Sequence, residues 1–409
     1  MKKCYLIGAA SMMLLTAAFV CSPDSGMHAK AESQATLHAG EQKKQSPKED
    51  IVLSGNVIAS FDDKGQMIYH PQGDARHDSY AIKTLISNDE KKTLILPKGK
   101  TIYIDEMIDV GSNTTIIANG TKIVQTIDKK GIFENEIDGA SYDAVKNVTI
   151  VGGTWLNSGN TQAHTMFRFA HGKNLRFEKV SIDTNYQSHA IELIACKDVV
   201  VDGCKLLAKN DKTKNKTSVE EILQLDIATK TTAPGVYRDG GQKKKYVNGQ
   251  TCQNITVKNS VLRGSRGLCA NFSPKEPAYL NKMHRNVTVT NCTITGTSAE
   301  GIALFNTAGF HVKNNKVTTN STRTSTPYAT AIHAVLIGKL PLAVKYSNEI
   351  VSNKAYGKYC AILTSSQKGS KYGTTTVKKN QGYALSASNA FKILCCKKVT
   401  MSANGKHKR

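Results

Sequence analysis

Two acidic residues, Glu192 and Asp226, lie in successive segments that share an alternating apolar pattern. Successive residues of a β-strand point to opposite faces, so inward-facing Leu193 and Leu225 would leave both acids pointing outward. One strand spacing (~4.8 Å) and two residues along the strand (~6.7 Å) would place their Cα atoms about 8 Å apart. Side-chain adjustment can bring the carboxyls to the roughly 6.5 to 9.5 Å of an inverting glycosidase, in which one acid protonates the leaving oxygen and the other activates water. We therefore predict Glu192 and Asp226 to be catalytic.

Further site candidates come from aligning the neighbouring segments. One outward column contains Arg168, Glu192, Gln224, Cys269 and Ala303, and the next contains Ala170, Ile194, Asp226, Asn271 and Phe305. Glu221 is the third catalytic candidate. If the strand begins at this residue, alternation points its side chain inward, so it is either a corner residue or part of a buried polar contact. The predicted substrate-binding residues are Arg168, His189, Gln224, Arg266, Asn271 and Lys275. The alternative for each is structural, because outward carboxylates in a basic protein are commonly solvated or paired, and histidines at strand ends often only satisfy local hydrogen bonds.

The segments that carry these residues repeat along the chain. Residues 189–196, 221–228 and 267–272 are rich in apolar residues, and each segment leads to a strand that begins with Asp or Asn, at 198–201, 254–257 and 286–289. Such a period predicts successive turns of a solenoid. Polar insertions at 208–220, 228–252 and 272–285 all fall beside the same strand column, which predicts a binding groove there. The recurring Asn residues favour a left-handed backbone and side-chain ladders at one corner.

The N-terminal part predicts a first strand at residues 51–59 and, after it, a cap for this coil. Asp78 or Ser79 can begin a short helix in which four apolar residues, Ala81, Ile82, Leu85 and Ile86, recur at helical spacing. Residues 94–104, LILPKGKTIYI, follow as strand, turn and strand. Helix and strands together resemble the start of the pectate-lyase-like superfamily of right-handed β-helix proteins. The resemblance implies an all-β fold, a right-handed parallel β-helix with a short N-terminal capping helix.

The order of the rungs is also distantly similar to the polygalacturonase family. Ser188–Leu193 (SHAIEL) stands where that family has its first acidic motif, and residues 219–226 (VEEILQLD) stand where it has paired aspartates. The following rung, SRGLCAN, lacks the family's Gly-His-Gly, and the rung after it lacks Arg-x-Lys. The resemblance implies cleavage of a uronate-containing polysaccharide, while these departures put polygalacturonase activity itself in question.

Two other activities fit the same groove. A lyase needs a cation to neutralise the uronate and a base to remove the α-proton, and Arg168, Arg266, Lys275 and Arg285 are available for these roles. In that version Glu192, Asp226 and Glu220 could bind Ca²⁺ through oxygen ligands. Otherwise no cofactor or metal site is predicted. A non-catalytic adhesin, or a glycan-binding module associated with the cell wall, is the alternative function.

The first residues predict export. Residues 1–31 contain Lys2 and Lys3, then an apolar stretch and the small-residue site Ala29-Lys-Ala31, as in a secretory signal peptide, with a lipoprotein site at Cys21 as the alternative. Residues 32–50 predict a flexible polar lead-in, and residues 51–409 a single β-helix domain that includes the cap. No later stretch has the apolar length of a transmembrane helix. We expect a secreted, extracellular monomer, associated by charge with the cell envelope if at all.

Charge indicates the class of partner. The chain carries a formal net charge of +23, which removal of residues 1–31 lowers by 2. A basic protein concentrates anionic ligands, so an acidic polysaccharide or an anionic cell-wall polymer is expected. No basic patch interleaved with stacking aromatics is evident, so nucleic acid is not expected.

The cysteines predict no zinc site, since none forms a CxxC or a Cys/His set with suitable spacing. Cys196 and Cys252 should stack one rung apart, about 4.8 Å, within the range that permits a disulfide. Stacked buried thiols are the alternative.

Overall fold

The computed structural model describes residues 48–128, 130–158, 165–210 and 219–409. They form the predicted right-handed parallel β-helix, and almost every turn of the coil adds one strand to each of three sheets. The strands within the described ranges number 15, 11 and 10 in the first, second and third sheets. The predicted signal peptide (1–31) and most of the predicted lead-in (32–50) lie outside the described residues.

The elements have the following bounds. The first sheet contains Ile51–Leu53, Asn56–Phe61, Met67–Tyr69, Lys92–Ile95, Thr114–Ile117, Val145–Val151, Gly172–Glu178, Lys197–Asp202, Gln253–Lys258, His284–Thr290, Thr307–Ala308, His311–Lys313, Asn348–Val351, Tyr372–Lys378 and Cys396–Ser402. The second sheet contains Thr101–Ile104, Lys122–Gln125, Thr154–Asn157, Ser181–Asp183, Lys205–Leu207, Val261–Gly264, Thr293–Gly296, Lys316–Thr319, Lys354–Tyr356, Gln381–Ala384 and Gly405–Lys408. The third sheet contains Ile108–Asp109, Phe133–Glu134, Phe167–Ala170, Ile191–Ile194, Glu221–Asp226, Arg266–Ala270, Ile302–Phe305, Thr330–Leu336, Cys360–Ser366 and Phe391–Ile393. The α-helices are Ala75–Ile86 and Pro234–Asp239, and the 3₁₀ helices are Lys244–Val247, Pro277–Tyr279, Pro327–Ala329, Pro341–Lys345 and Ala387–Asn389.

The helix Ala75–Ile86 supplies the N-terminal cap. Its four apolar residues at helical spacing are all buried in the core. The predicted cap residues were wrong, because the carboxylate of Asp74 accepts the His77 amide at 3.0 Å and the helix starts earlier than expected. Asp78 lies inside the helix instead, where it accepts the hydroxyl of Tyr69 and the amide of Gln72.

The first predicted strand, residues 51–59, is also revised. It is an antiparallel hairpin of Ile51–Leu53 and Asn56–Phe61, turning at Ser54 and Gly55. Both turn residues have positive φ, at 50° and 85°, a conformation that Gly adopts without strain. The sequence signal for this turn was short and flanked by apolar residues, which favoured one continuous strand.

Inward-facing side chains fill the coil with a narrow continuous core. The chain's one tryptophan, Trp155, is fully buried and its indole donates to the Gly152 carbonyl at 2.9 Å. Phe133 and Phe167 pack around it with ring centroids 5.2 Å from the indole. Burial of side chains this large contributes about 2 to 3 kcal/mol each, so the core holds the three sheets, and the residues on their outer faces, in fixed register.

Asparagine and aspartate residues form the predicted ladder at one corner. Asn113, Asn147 and Asn174 all have φ near 57°, and the side-chain amides of Asn147 and Asn174 each donate to the side-chain oxygen of the preceding member at 2.7 Å. Asp198 and Asn254 continue the arrangement on later turns, with an amide donated at 2.8 Å. The corner is confirmed as a left-handed turn that Asn and Asp tolerate better than most residues.

A second ladder, at a buried corner, was not predicted. It contains Asn315, Asn353, Asn380 and Asn404, and the side-chain oxygen of each of the last three accepts the backbone amide of the member before it, at 2.9 to 3.0 Å. Their own amide groups donate to carbonyl oxygens within the core, as Asn353 does to Val312 at 2.8 Å. Each residue thus satisfies backbone groups that would otherwise be buried without partners.

The cysteines of the described residues are all thiols. Lys197 pairs with Gln253, so the preceding residues Cys196 and Cys252 are on adjacent turns, as predicted. Each thiol donates to a core carbonyl at 3.2 Å, and burial raises the pKa of Cys196 to about 12. The stacked-thiol alternative is therefore the one observed.

Candidate functional site

The outer face of the third sheet carries the predicted column. Strand pairing aligns Arg168 with Glu192, Glu192 with Gln224, and Gln224 with Cys269. Cys269 in turn pairs with Ala303. Asp226 pairs with Ile194, two positions beyond the Glu192 pair, so the register behind the proposed acid pair is confirmed.

A cleft of about 650 Å³ opens over this column. Polar insertions before and after the strands form its walls, as their place beside one strand column predicted. Its lining residues are Thr165, Arg168, Ser188, His189, Glu192, Ile194, Val219, Glu220, Glu221, Gln224, Thr231, Thr232, Ala233, Pro234, Gly235, Arg238, Asn271, Pro274 and Lys275. Seven predicted site residues are among them, whereas Asp226 and Arg266 are not.

Glu192 presents its carboxylate to the cleft. The residue is 8% exposed, and the hydroxyl of Thr165 donates to its Oε2 at 3.2 Å. A carboxylate oriented by one hydrogen bond at the floor of a cleft keeps acceptor sites free for a ligand. Its position suits a group that contacts substrate directly.

Asp226 lies behind Glu192 and is fully buried. Gln224 Nε2 donates to its Oδ2 at 2.6 Å, while Oδ1 has no partner among the described residues. Burial, and secondarily the charge of Glu192, raise the pKa of Asp226 well above its usual range. Burial therefore favours the neutral, protonated form of Asp226.

His189 is a cation within the cleft. Its Nδ1–H donates to the Glu221 carbonyl oxygen at 2.6 Å. Burial opposes the charged form, but the carboxylates of Glu192, Glu221 and Glu220 outweigh it and raise the pKa to about 9. His189 therefore carries a proton at neutral pH and can donate a charge-assisted hydrogen bond to an anionic ligand.

Glu221 belongs to a buried polar contact, which is one of the two structural alternatives predicted for it. It pairs in register with Arg266, whose guanidinium donates to it and also to Glu300 at 2.9 Å. His333 donates to the second oxygen of Glu300 at 3.1 Å. Burial works against ionisation of Glu300, but Arg266 and His333 lower its pKa to about 2. Arg266 thus pairs with two carboxylates and is not among the residues that line the cleft.

Arg168 is similarly committed at the other end of the cleft. Its guanidinium donates to Glu134 and, at 2.5 Å, to Asp239. Asp239 ends the short helix Pro234–Asp239, and a Cβ on Gly235 of that helix would lie 2.0 Å from the Arg168 guanidinium. Glycine at this position lets the helix approach closely, so Arg168 anchors a wall of the cleft.

The remaining predicted residues lie at the rim or floor. Lys275 is exposed and lines the cleft, and Asn271 lines it with its Oδ1 accepting the Phe272 amide at 2.9 Å. Gln224 lines the floor, and its Oε1 is buried without a partner among the described residues. These groups can meet sugar hydroxyls and carboxylates.

The insertion 228–252 was predicted to border the groove, but the residues of the wall made by 229–238 were not among the predicted site residues. Thr231 and Ser273 both donate to Glu276, at 2.5 and 2.9 Å, which joins this wall to the loop after the next strand. Thr232 and Arg238 line the cleft from the same segment. Only the length and polarity of the insertion pointed to this wall, because no periodic pattern identifies which loop residues fold inward.

The described residues contain no group of three or more His, Cys, Asp or Glu side chains arranged to bind a metal ion. Nor does any helix within them have the length and apolar character needed to cross a bilayer.

Fold and site together define a right-handed parallel β-helix with a polar cleft on the outer face of its third sheet. No family model matches the chain. The plasmin and fibronectin-binding protein A of Streptococcus pneumoniae (strain ATCC BAA-255 / R6) is 24% identical over 262 residues, covering 56% of this chain and 35% of that protein. The chain thus spans about a third of the length of this curated relative.

Solved structures of other proteins share this β-helix fold. One, of the S. pneumoniae surface protein and adhesin PfbA, has a TM-score of 0.51 at 15% identity and covers 83% of this chain and 97% of its own. Another, of PfbA as a surface adhesin, has a TM-score of 0.53 at 14% identity, covering 83% and 92%. At these identities the likeness establishes the fold alone.

Proposed function

We propose that this chain is a secreted protein that binds an acidic, uronate-containing polysaccharide in the cleft and cleaves it by hydrolysis. The observation that carries the proposal is the carboxyl pair at the cleft floor. Glu192 lines the cleft, and burial raises the pKa of Asp226 behind it, which favours its protonated form. General acid–base catalysis commonly uses two acids whose environments set their pKa values apart, so that one donates a proton and the other accepts one.

In this proposal the pair supplies both proton transfers of hydrolysis. Glu192 accepts a proton from the attacking water as the glycosidic bond to the leaving sugar breaks. The leaving oxygen takes up the proton of the Asp226 carboxyl group. Because Asp226 is buried, its side chain must move to reach the cleft. Glu221 holds Arg266 in place beneath the floor and acts by positioning.

The cations of the cleft support an acidic ligand. His189 is protonated at neutral pH, and Lys275 and Arg238 stand at the rim. Each can pair with a uronate carboxylate, and charge-assisted hydrogen bonds are stronger than neutral ones. The basic character of the whole chain attracts the same polymers.

The test measures new reducing ends released from polygalacturonate, alginate and hyaluronate. On the substrate that is cleaved, Glu192→Gln and Asp226→Asn should each lower the rate by about 10²-fold or more, because each removes a proton-transfer group. Glu90→Gln, at an exposed carboxylate far from the cleft, should be unchanged. Glycan binding by the two site variants should remain within about threefold. Full activity of both variants would show that the proposed catalytic residues are wrong. A product that absorbs in the ultraviolet is unsaturated, and it would show that the chain cleaves by elimination and not by hydrolysis.

A second candidate function is non-catalytic adhesion. It is favoured by the similarity to a plasmin and fibronectin-binding protein, and by the commitment of Arg168 and Arg266 to internal ion pairs. Immobilised plasmin and fibronectin provide the test. Saturable binding with no product from any glycan would favour adhesion, whereas product formation that depends on Glu192 would favour the enzyme.

A further inference from the structure

A second groove, of about 630 Å³, lies outside the candidate site and shares no lining residue with it. It is formed by two loops, around residues 281–285 and 339–346, beside the first sheet. Its lining residues are Thr251, Asn281, Lys282, Met283, Arg285, Lys339, Leu340, Pro341, Leu342 and Tyr346.

The walls of the second groove are held together. Asn306 is buried and bridges the two loops, donating to the Leu280 carbonyl at 3.2 Å and accepting the Ile337 amide at 2.7 Å. Gly338 packs directly on Leu280, since a Cβ there would lie 1.6 Å from the Leu280 carbonyl oxygen. The groove is therefore preformed, which limits the ordering cost of binding.

Its chemistry combines an apolar interior with a cationic rim. Met283, Leu340 and Pro341 line it, and Leu342 leaves 54% of its surface exposed. Lys282, Lys339 and Arg285 are the charged residues of the lining, which contains no carboxylate. Among the ion pairs of the described residues none involves these three cations, so their charge is available to a ligand.

We propose that the second groove binds an acidic peptide segment of a partner protein, which inserts an apolar side chain between the loops. The rim cations select the acidic flanks, and the apolar residues receive the anchor, as central apolar pockets do in protein interfaces. A glycan would meet mainly methyl and methylene groups here. A membrane surface would require a convex apolar patch, whereas this site is concave.

The proposal is tested with a fluorescein-labelled peptide in which glutamates flank a central leucine–phenylalanine pair, titrated with the full chain. The double variant Lys282→Glu/Lys339→Glu should weaken binding at least tenfold, because two attractions become repulsions. Leu342→Ser should weaken it roughly threefold to tenfold through lost apolar contact. The matched control Lys122→Glu/Lys205→Glu, at exposed lysines on the second sheet, should stay within twofold.

Three results would overturn the proposal. One is equal binding of a peptide with lysines in place of the glutamates, and another is an effect of the control variant as large as that of the groove variant. The third is binding to phosphatidylglycerol vesicles that depends on Lys282 and Lys339 while the peptide does not bind, which would assign the groove to a membrane surface.

Discussion

At the scale of single residues, the chemistry proposed for the cleft floor depends on which of its two acids, Glu192 or Asp226, carries a proton. Glu192 is oriented by Thr165 towards the cleft, whereas Asp226 is enclosed with one oxygen unpartnered among the described residues. A buried carboxyl without full hydrogen bonding strongly favours its neutral form. The two residues therefore differ in role despite their similar chemistry.

The raised pKa of Asp226 can be tested through the pH dependence of the free energy of unfolding. Because its pKa is raised on folding, wild type loses stability relative to Asp226→Asn as pH rises above the ordinary aspartate pKa of about 3.9. The variant should therefore be the more stable of the two at pH 7, with the difference shrinking towards pH 4. Urea unfolding across this range gives the comparison, and a variant less stable than wild type at pH 7 would contradict a protonated Asp226.

His189 should show the opposite pH dependence. Its pKa rises from 6.5 to about 9 on folding, so its stabilising charge is complete below pH 6.5 and is lost as pH rises through 9. Relative to His189→Gln, wild type should be more stable at pH 6 by up to roughly 3 kcal/mol, and this advantage should fade by pH 10. Denaturant unfolding of both proteins supplies the difference. An advantage that does not change with pH would indicate that the imidazole acts through hydrogen bonding alone.

The sequence predicted the residue column correctly but not the enclosure of Asp226. Strand parity decides which face a side chain joins, and pairing decides its neighbours, so Arg168, Glu192 and Gln224 were placed from the pattern alone. Enclosure depends on what covers the face. Here that is the insertion 229–238, whose conformation follows from contacts such as Thr231 with Glu276 rather than from any periodic signal.

At the scale of secondary-structure elements, Arg266 joins the strand Glu221–Asp226 to the turn that carries Glu300. The three charges are buried together, and their mutual attraction offsets the loss of hydration. Removing the central cation would leave Glu221 buried without this partner and Glu300 paired with His333 alone.

We expect Arg266→Met to lower the free energy of unfolding by about 3 to 5 kcal/mol. Arg263→Met is the matched control, because Arg263 is partly exposed and donates to one carbonyl at 3.2 Å, so its effect should stay below about 1 kcal/mol. Guanidinium unfolding of both variants gives the two values. Similar losses would mean that the buried network is energetically unimportant.

The two asparagine ladders should differ in strength. Asn353 satisfies several buried groups, whereas Asn147 lies at an exposed corner. We expect Asn353→Ala to destabilise by about 2 to 4 kcal/mol and Asn147→Ala by about 1 kcal/mol. Asn147→Gly should lose less than Asn147→Ala, because glycine tolerates the positive φ of 58°. Thermal unfolding ranks the three variants, and equal losses at both corners would contradict the distinction.

The exposed ladder was predictable and the buried one was not. Asn147, Asn254 and Asn286 each begin a recognisable Asn-x-Thr segment, and Asn174 begins the similar segment Asn-Leu-Arg-Phe, so the repeat is visible in the sequence. The members of the buried ladder, from Asn315 to Asn404, lie in short turns with no common motif. Their equivalence follows only from the register of the strands on either side.

At the scale of the whole molecule, a stack of similar turns carries a strong positive charge. Each turn contacts mainly the turns next to it, so the fold was predictable from local repeats without knowledge of distant contacts. The ligand was less predictable, since charge indicates only the sign of the partner.

The formal charge of +23 makes polyanion binding sensitive to salt. The affinity for polygalacturonate should fall tenfold or more between about 0.01 and about 1 M NaCl, as the Debye length drops from ~30 to ~3 Å. Lys275→Glu should weaken binding at low salt and should also make it less dependent on salt. Isothermal titration with neutral dextran as control measures both effects. An affinity for polygalacturonate that does not vary with salt would rule out the electrostatic basis of the proposal.

The place of the insertions bears on how such a protein can acquire a new specificity. The wall formed by residues 229–238 leaves and rejoins the coil between strands whose register is fixed by their neighbours on both sides. Changes in the length or composition of this segment can therefore be inherited without disturbing the turns below it. Lineages that carry this scaffold can diversify their ligands by exchanging loops, while selection on the inward-facing residues maintains the coil.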